Sequence, residues 1–255
     1  MPNNTIHSSW TPRAAGVLAR ACEGYGGADA WRAIRVVRLV PTELRGMIPW
    51  MKGFGRTFSM PSAFEIFPRD RQARFLDYPE RGCVGAYHDG AVRIERATGE
   101  LLTESRDHRR TFHGLAKYRR WTPADALYFF GYALTHYHSL PFTLGDARLI
   151  ESSVAGTRSA PLDVLNVEFP AELHTHCRRQ RFYIDEAGSI VRHDYHAEVV
   201  GWPARGAHYW NRQHVVNGFP IALERHVVAR VGSRTLPFIV ALHAAFRAAE
   251  VEHER

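Results

Sequence analysis

Cysteine is scarce in this 255-residue sequence: Cys22, Cys83 and Cys177 are the only three. They are odd in number, far apart and form no CxxC pair, which argues against a disulfide scaffold and against a structural zinc site. Long apolar runs are missing too. "ADALYFFGYAL" ends after eleven residues at Thr135 and His136, too short to span a bilayer. The opening "MPNNTIHSSWTPRAAGVLARACEGYGG" has no basic region followed by an apolar stretch, so no secretory signal is read there and a cytoplasmic protein is expected. No GxSxG elbow, HExxH helix, phosphate-binding P-loop or dinucleotide fingerprint occurs, and no cofactor is expected. With no linker rich in Pro, Gly or Ser and no strict repeat, the economical reading is one domain over 1–255.

What is present is an ordinary soluble composition, 45% apolar and 23% charged, with a net charge of +7. The basic excess sits in short clusters, "RDHRR" at 106–110, "KYRR" at 117–120 and "RRQR" at 178–181. They are split among separate segments and no nucleic-acid motif accompanies them. A solvated strand face, or a basic rim around a site for an acidic small molecule, is favoured over nucleic acid as a partner.

Along the chain, Thr11-Pro12 signals a helix start, and Val17, Leu18 and Cys22 share one helical face before the glycines at 24, 26 and 27 stop it. After Trp31 the chain reads as strands: "RVVRLVPTELRG", "WMKGFGRTFSM", "AFEIFPRD" and "QARFLDY", followed by an alternating segment between the turns Asp89-Gly90 and Thr98-Gly99. "WTPADALYFFGYALTHYHSLP" then predicts a central helix over 123–139, with Thr122 as N-cap, Pro123 at the first position and Pro141 as the stop. So apolar a helix belongs against a sheet. Strands resume at "PLDVLNVEFP" and continue to "LPFIVALHAAF", whose helix or strand character the pattern leaves open.

The candidate chemistry lies in "RRQRFYIDEAGSIVRHDYHAEVVG", 178–201. In alternation, His174, His176, Arg178, Gln180 and Phe182 share one side of a strand, and Val191, His193, Tyr195 and Val199 one side of the next. A loop at 185–188 sets Gln180 opposite His193 and Arg178 opposite Tyr195; a three-residue bulged loop would pair His193 with Arg181 instead. His193 and Tyr195, with His176 as a third candidate, read either as pocket groups able to donate or exchange protons, or as hydrogen-bonded core residues. "HTHC" sets two histidines at i and i+2, a loose metal pattern in a chain with fifteen histidines, and no metal is expected. "GAHYWNRQH" adds His208, and "RDHRRTF" adds Asp107 and Arg109 in front of the central helix.

"LARACEGYGGADAWRAIRVVRL", the turn "FYIDEAGSIVRHDY" and the late strand "IALERHVVARV" together resemble the pattern of bacterial lipoprotein-carrier proteins of the LolA/LolB-like superfamily. The chain also resembles a set of bacterial proteins with a "YFFGYAL" helix. The resemblance implies an α+β, mainly antiparallel β fold. It would be a strongly curved, incomplete β-barrel, with an N-terminal and a central helix on the concave side and an apolar cavity between. Such carriers act in the periplasm or at the outer membrane, and their activity is not carried over, because the chain shows neither a signal peptide nor an early lipidation cysteine. A few relatives of the architecture are cofactor-independent enzymes of secondary metabolism, an analogy of fold alone.

Two functions are therefore expected as rivals. The first is binding of an apolar or amphipathic small molecule, with Trp50, Phe130 and Tyr132 as apolar walls and His136, His176, Arg178, Gln180, His193, Tyr195 and His208 as polar lining. The alternative is a cofactor-independent cyclase, isomerase or dehydratase in which His193 is the acid/base and Tyr195 or Arg178 stabilises negative charge. A basic interaction module without a pocket is the third possibility.

Overall fold

The computed structural model describes residues 7–253, so the first six residues searched for a signal, and the last two, lie outside it. Thirteen strands form one antiparallel sheet in the order β6-β5-β4-β3-β2-β1-β13-β12-β11-β10-β9-β8-β7. The first half comprises β1 (Ile34–Arg45), β2 (Ala63–Phe67), β3 (Gln72–Leu76), β4 (Cys83–His88), β5 (Ala91–Arg96) and β6 (Leu101–Ser105). The second comprises β7 (Arg148–Thr157), β8 (Ala160–Glu168), β9 (Arg179–Ile184), β10 (Ile190–His196), β11 (Arg205–Val216), β12 (Phe219–Val231) and β13 (Arg234–His253). Each half is a meander of neighbours in sequence. They meet where β1 pairs with β13, from Ile34 opposite His253 to Arg45 opposite His243. β6 and β7 remain as edges, so the barrel is not closed.

Helix α1 (Pro12–Gly24) starts as its sequence dictates: the Thr11 hydroxyl accepts from the Ala14 amide at 3.3 Å, and Ala14, Val17, Leu18 and Ala21 are buried. The glycine cluster does more than end it. Gly26, at φ +88°, turns the chain into a second short helix, α2 (Gly27–Ala33), whose Trp31 stacks on Phe142 at 5.0 Å. The stretch "WMKGFGRTFSM" also departs from its reading as a strand: α3 (Met47–Lys52) is a helix bracketed by Gly46 and Gly53, both at positive φ. The Lys52 ammonium, buried, donates to the Lys117 carbonyl, a tertiary contact that no local pattern announces. The C-terminal stretch left open by the sequence is the long strand β13, held as a strand because it is hydrogen-bonded on both edges.

Helix α4 (Pro123–Ser139) joins the two edges of the sheet through short 3-10 turns and packs inside its curve, against β2 to β5. A full capping box starts it: the Thr122 hydroxyl accepts from the Asp125 amide at 3.2 Å, and the Asp125 carboxylate accepts from the Thr122 amide at 2.7 Å. Fifteen of its seventeen residues are buried, as its uninterrupted apolar content requires. Gly131 permits the close approach to β4, since a Cβ there would lie 2.4 Å from Tyr87.

Candidate functional site

The concave face is built by cross-strand rows. Leu242, Val227, His208, His193, Phe182 and Leu165 stand opposite one another in succession from β13 to β8. The 178–201 hairpin therefore uses neither expected register. Its loop is closed by Asp185 and Ser189, Gly188 takes φ +86°, and an irregularity between Ile190 and Arg192 sets Phe182 opposite His193 and Arg181 opposite Asp194. The shift from the first expected register is two residues, an even number, so His193 and Tyr195 stay on the face where alternation put them.

Around them α4 and the irregular segment before β9 close a buried cluster of rings. His176 stacks flat on Tyr195, centroids 3.9 Å apart, and both of its nitrogens are engaged, Nδ1 by the Tyr132 hydroxyl at 3.0 Å and Nε2 by that of Tyr137 at 2.5 Å. Tyr137 in turn donates to the Tyr195 hydroxyl at 3.4 Å. If Tyr137 spends its proton on Tyr195, His176 carries its own on Nε2 and receives that of Tyr132 on Nδ1. His193 stacks on Phe182 at 4.3 Å, and its Nε2 meets the Gln180 Oε1 at 2.5 Å, an oxygen that also meets the His136 Nε2 at 3.2 Å. Burial holds His176, His193 and His208 well below the ordinary imidazole range and takes His136 down to about 4. They are neutral at pH 7.

Beside this cluster a cleft of about 700 Å³, counting its open mouth, runs between α4 and the strands β1, β12 and β13. Phe64, Phe75, Phe129, Phe130 and Phe246 supply apolar walls, Glu43 stands in its lining as an exposed side chain, and Tyr137, Tyr195 and Arg225 supply polar groups. Arg225 is 4% exposed, opposite Trp210 on β11 and Ala244 on β13. Its guanidinium lies 4.8 Å from the ring centres of both Tyr137 and Trp210. Burial lowers its pKa to about 10, which leaves it charged at neutral pH.

The expected site residues divide accordingly. Phe130 and Tyr195 line the cleft; Tyr132, His176, Gln180, His193 and His208 form the buried layer next to it. His136 belongs to that layer and also borders a polar hollow on the other side of α4, together with Arg71, Asp89 and His174. Two expectations are corrected. Trp50 is 73% exposed on α3 and is no wall of the cleft, because the strand assumed for its stretch is a helix. Arg178 precedes β9, which begins only at Arg179; its side chain is exposed and turns to the Phe169 carbonyl and Glu168. For the same reason His174 and His176 do not share a strand face: His174 Nδ1 meets the Tyr128 hydroxyl at 2.8 Å, away from His176. Among the described residues no group of three His, Cys, Asp or Glu is placed to hold a metal ion. Burial pushes the Cys177 thiol up to about 11, opposite to what a nucleophile needs.

Arg225 was missed. Its signal was available, an arginine in phase with Phe219, Ile221 and Val227 on the apolar side of an alternating strand.

No family model matches the sequence, and no curated protein matches it. Among solved structures, a LolA superfamily protein from Nitrosomonas europaea is similar with a TM-score of 0.50 over 95% of this chain and 94% of that one, at 9% identity. A DUF1329 family protein from Desulfovibrio piger is similar over 94% of both chains, with a TM-score of 0.48 and 9% identity. The open antiparallel half-barrel wrapped around a helix is thus a LolA-like fold, as the sequence resemblance implied. Among the described residues no helix is long and apolar enough to cross a membrane, a property common to cytoplasmic and periplasmic proteins alike.

Proposed function

We propose that the chain works as one domain that binds an apolar or amphipathic small molecule in the cleft between α4 and the concave sheet. The observation that carries this reading is the cleft itself: aromatic side chains from both halves of the sheet and from α4 line one concave, mostly apolar space with a few polar groups at its side. A LolA-like fold, like that of the Nitrosomonas europaea LolA superfamily protein, suits such a role because its curved sheet and the enclosed helix leave a groove between them. The test is binding of anilinonaphthalene sulfonate, and of any metabolite released on denaturing the purified protein, to the wild type and to Ala133→Trp. Ala133 lies on α4 in the cleft wall. The variant should lose at least about 10-fold in affinity, equal to about 1.4 kcal/mol; equal binding by both proteins would reject the cleft.

A second reading, a cofactor-independent cyclase, isomerase or dehydratase, is favoured by one observation. The hydroxyls of Tyr132 and Tyr137 are linked through His176 and that of Tyr195 through Tyr137, and Tyr137 and Tyr195 line the cleft. Tyr195 is then the group that delivers a proton, and His193 packs beside it with ring centres 4.8 Å apart. Tyr195→Phe should stop conversion of a released metabolite while its binding persists.

A further inference from the structure

The cluster at the cleft's polar side has donors without acceptors. Arg225 Nε and Nη1 are buried with no hydrogen-bond partner, and among the described residues no carboxylate pairs with this guanidinium. Close by, Trp210 Nε1 and both ring nitrogens of His208 are likewise buried and unpartnered. These rings surround Tyr137, His208 at 4.8 Å and Trp210 at 5.9 Å between centres. Buried polar groups are normally satisfied, and a buried charge is normally paired; leaving both undone destabilises the fold. The faces of Tyr137 and Trp210 return only part of that as cation–π attraction. Glu43, the carboxylate in the cleft lining, is already engaged by Arg45 and lies 3.4 Å from His243.

We propose that Arg225 is the anion-binding residue of the cleft, and that the ligand is a monocarboxylate whose apolar body lies among the phenylalanines while its headgroup fills the fork of the guanidinium. The inference rests on the cleft being a binding site and adds the chemistry of what it binds. Three features select this class. Among the described residues, Arg225 is the one cation in the cleft's lining, so a dianion such as a phosphate monoester would keep an uncompensated charge. A planar guanidinium matches a carboxylate with two parallel hydrogen bonds. His208 nearby is held neutral by burial and adds no charge of its own.

The test compares dodecanoate, dodecanol and dodecyltrimethylammonium, which share one tail and differ in head charge. Binding to the delipidated full chain is followed by titration calorimetry at pH 7.5. In the wild type, dodecanoate should bind at least about 10-fold more tightly than dodecanol, the worth of one charge-assisted pair, and the cation should bind most weakly. In Arg225→Gln the preference for the acid should disappear while dodecanol binding stays within about 3-fold. Should that variant fail to fold, Arg225→Lys keeps the charge without the fork and should retain a reduced preference. Equal affinity of the wild type for acid and alcohol overturns the anion assignment and leaves the cleft standing. Failure of all three ligands to bind overturns the cleft reading, and the assignment with it.

Discussion

At the scale of single residues, five histidines dominate. His136, His138, His176, His193 and His208 are buried, and burial lowers the pKa of each. In the unfolded chain each takes up a proton near pH 6.5, whereas in the fold His136 waits until about pH 4. Between those values the unfolded state binds more protons, so folding stability is fully present above about pH 6.5 and is lost as pH falls, by about 1.4 kcal/mol per pH unit for each group. Urea midpoints measured from pH 7.5 to 4.5 should fall steeply below pH 6.5. A flat profile would mean that the rings are hydrated. Much of this layer was legible, because the two-residue period of a strand fixes the face of His193 and Tyr195 whatever the register. The isolation of Arg225 was not, since it depends on Trp210 and Ala244 standing on either side of it.

The element that organises the site is α4, and its ends and its middle obey different physics. Its start was readable from Thr122 and Pro123 because capping is local chemistry. Asp125, 0% exposed, accepts from His108 at 3.0 Å and from Arg119 and Thr122 as well, and these partners hold its carboxyl far below the usual range although burial opposes them. Asp125→Ala should therefore lower unfolding stability by about 3 kcal/mol, since it leaves donors facing a void; a loss under about 1 kcal/mol, the worth of a cap alone, would show that the ion pair adds nothing. Gly131 tests the opposite balance. Alanine gains about 1 kcal/mol in helix propensity, but its Cβ would fall 2.4 Å from the Tyr87 ring, and overpacking of that kind costs about 1–3 kcal/mol. Gly131→Ala should come out less stable in urea, and a more stable variant would show that Tyr87 yields freely. The hairpin register and the helix α3 escaped sequence reading for a shared reason: one hangs on a bulge and the other on a contact with residue 117, and neither leaves a periodic trace.

For the whole molecule, the net charge of +7 remains, but many arginines of the basic clusters are drawn into ion pairs. Arg109 meets Glu198 at 2.6 Å, Arg110 meets Asp107 at 2.7 Å, Arg119 holds Asp125, and Arg178 and Arg179 lie near Glu168. A groove of unpaired cations is what a phosphate backbone needs, and these pairs do not make one. Fluorescence anisotropy with labelled duplex or single-stranded DNA should show no binding tighter than about 10 μM at about 0.15 M salt. Tighter, salt-sensitive binding would restore the interaction-module reading. The curved antiparallel architecture itself was legible from turn spacing and from the resemblance of a few segments, because strand punctuation survives where side-chain detail does not.

The pairing of β1 with β13 has a consequence for biosynthesis. These two neighbours lie nearly two hundred residues apart in the chain, so β1 leaves the ribosome long before its partner exists. At roughly 5–20 residues per second, that separation amounts to ten seconds or more during which one edge of β1 stands uncovered. A nascent chain with a bare apolar strand edge invites pairing with other chains, and closing a loop of this size is slow even after synthesis ends. The central seam that gives the finished molecule a continuous wall leaves its N-terminal half with an unpaired strand edge while it is being made.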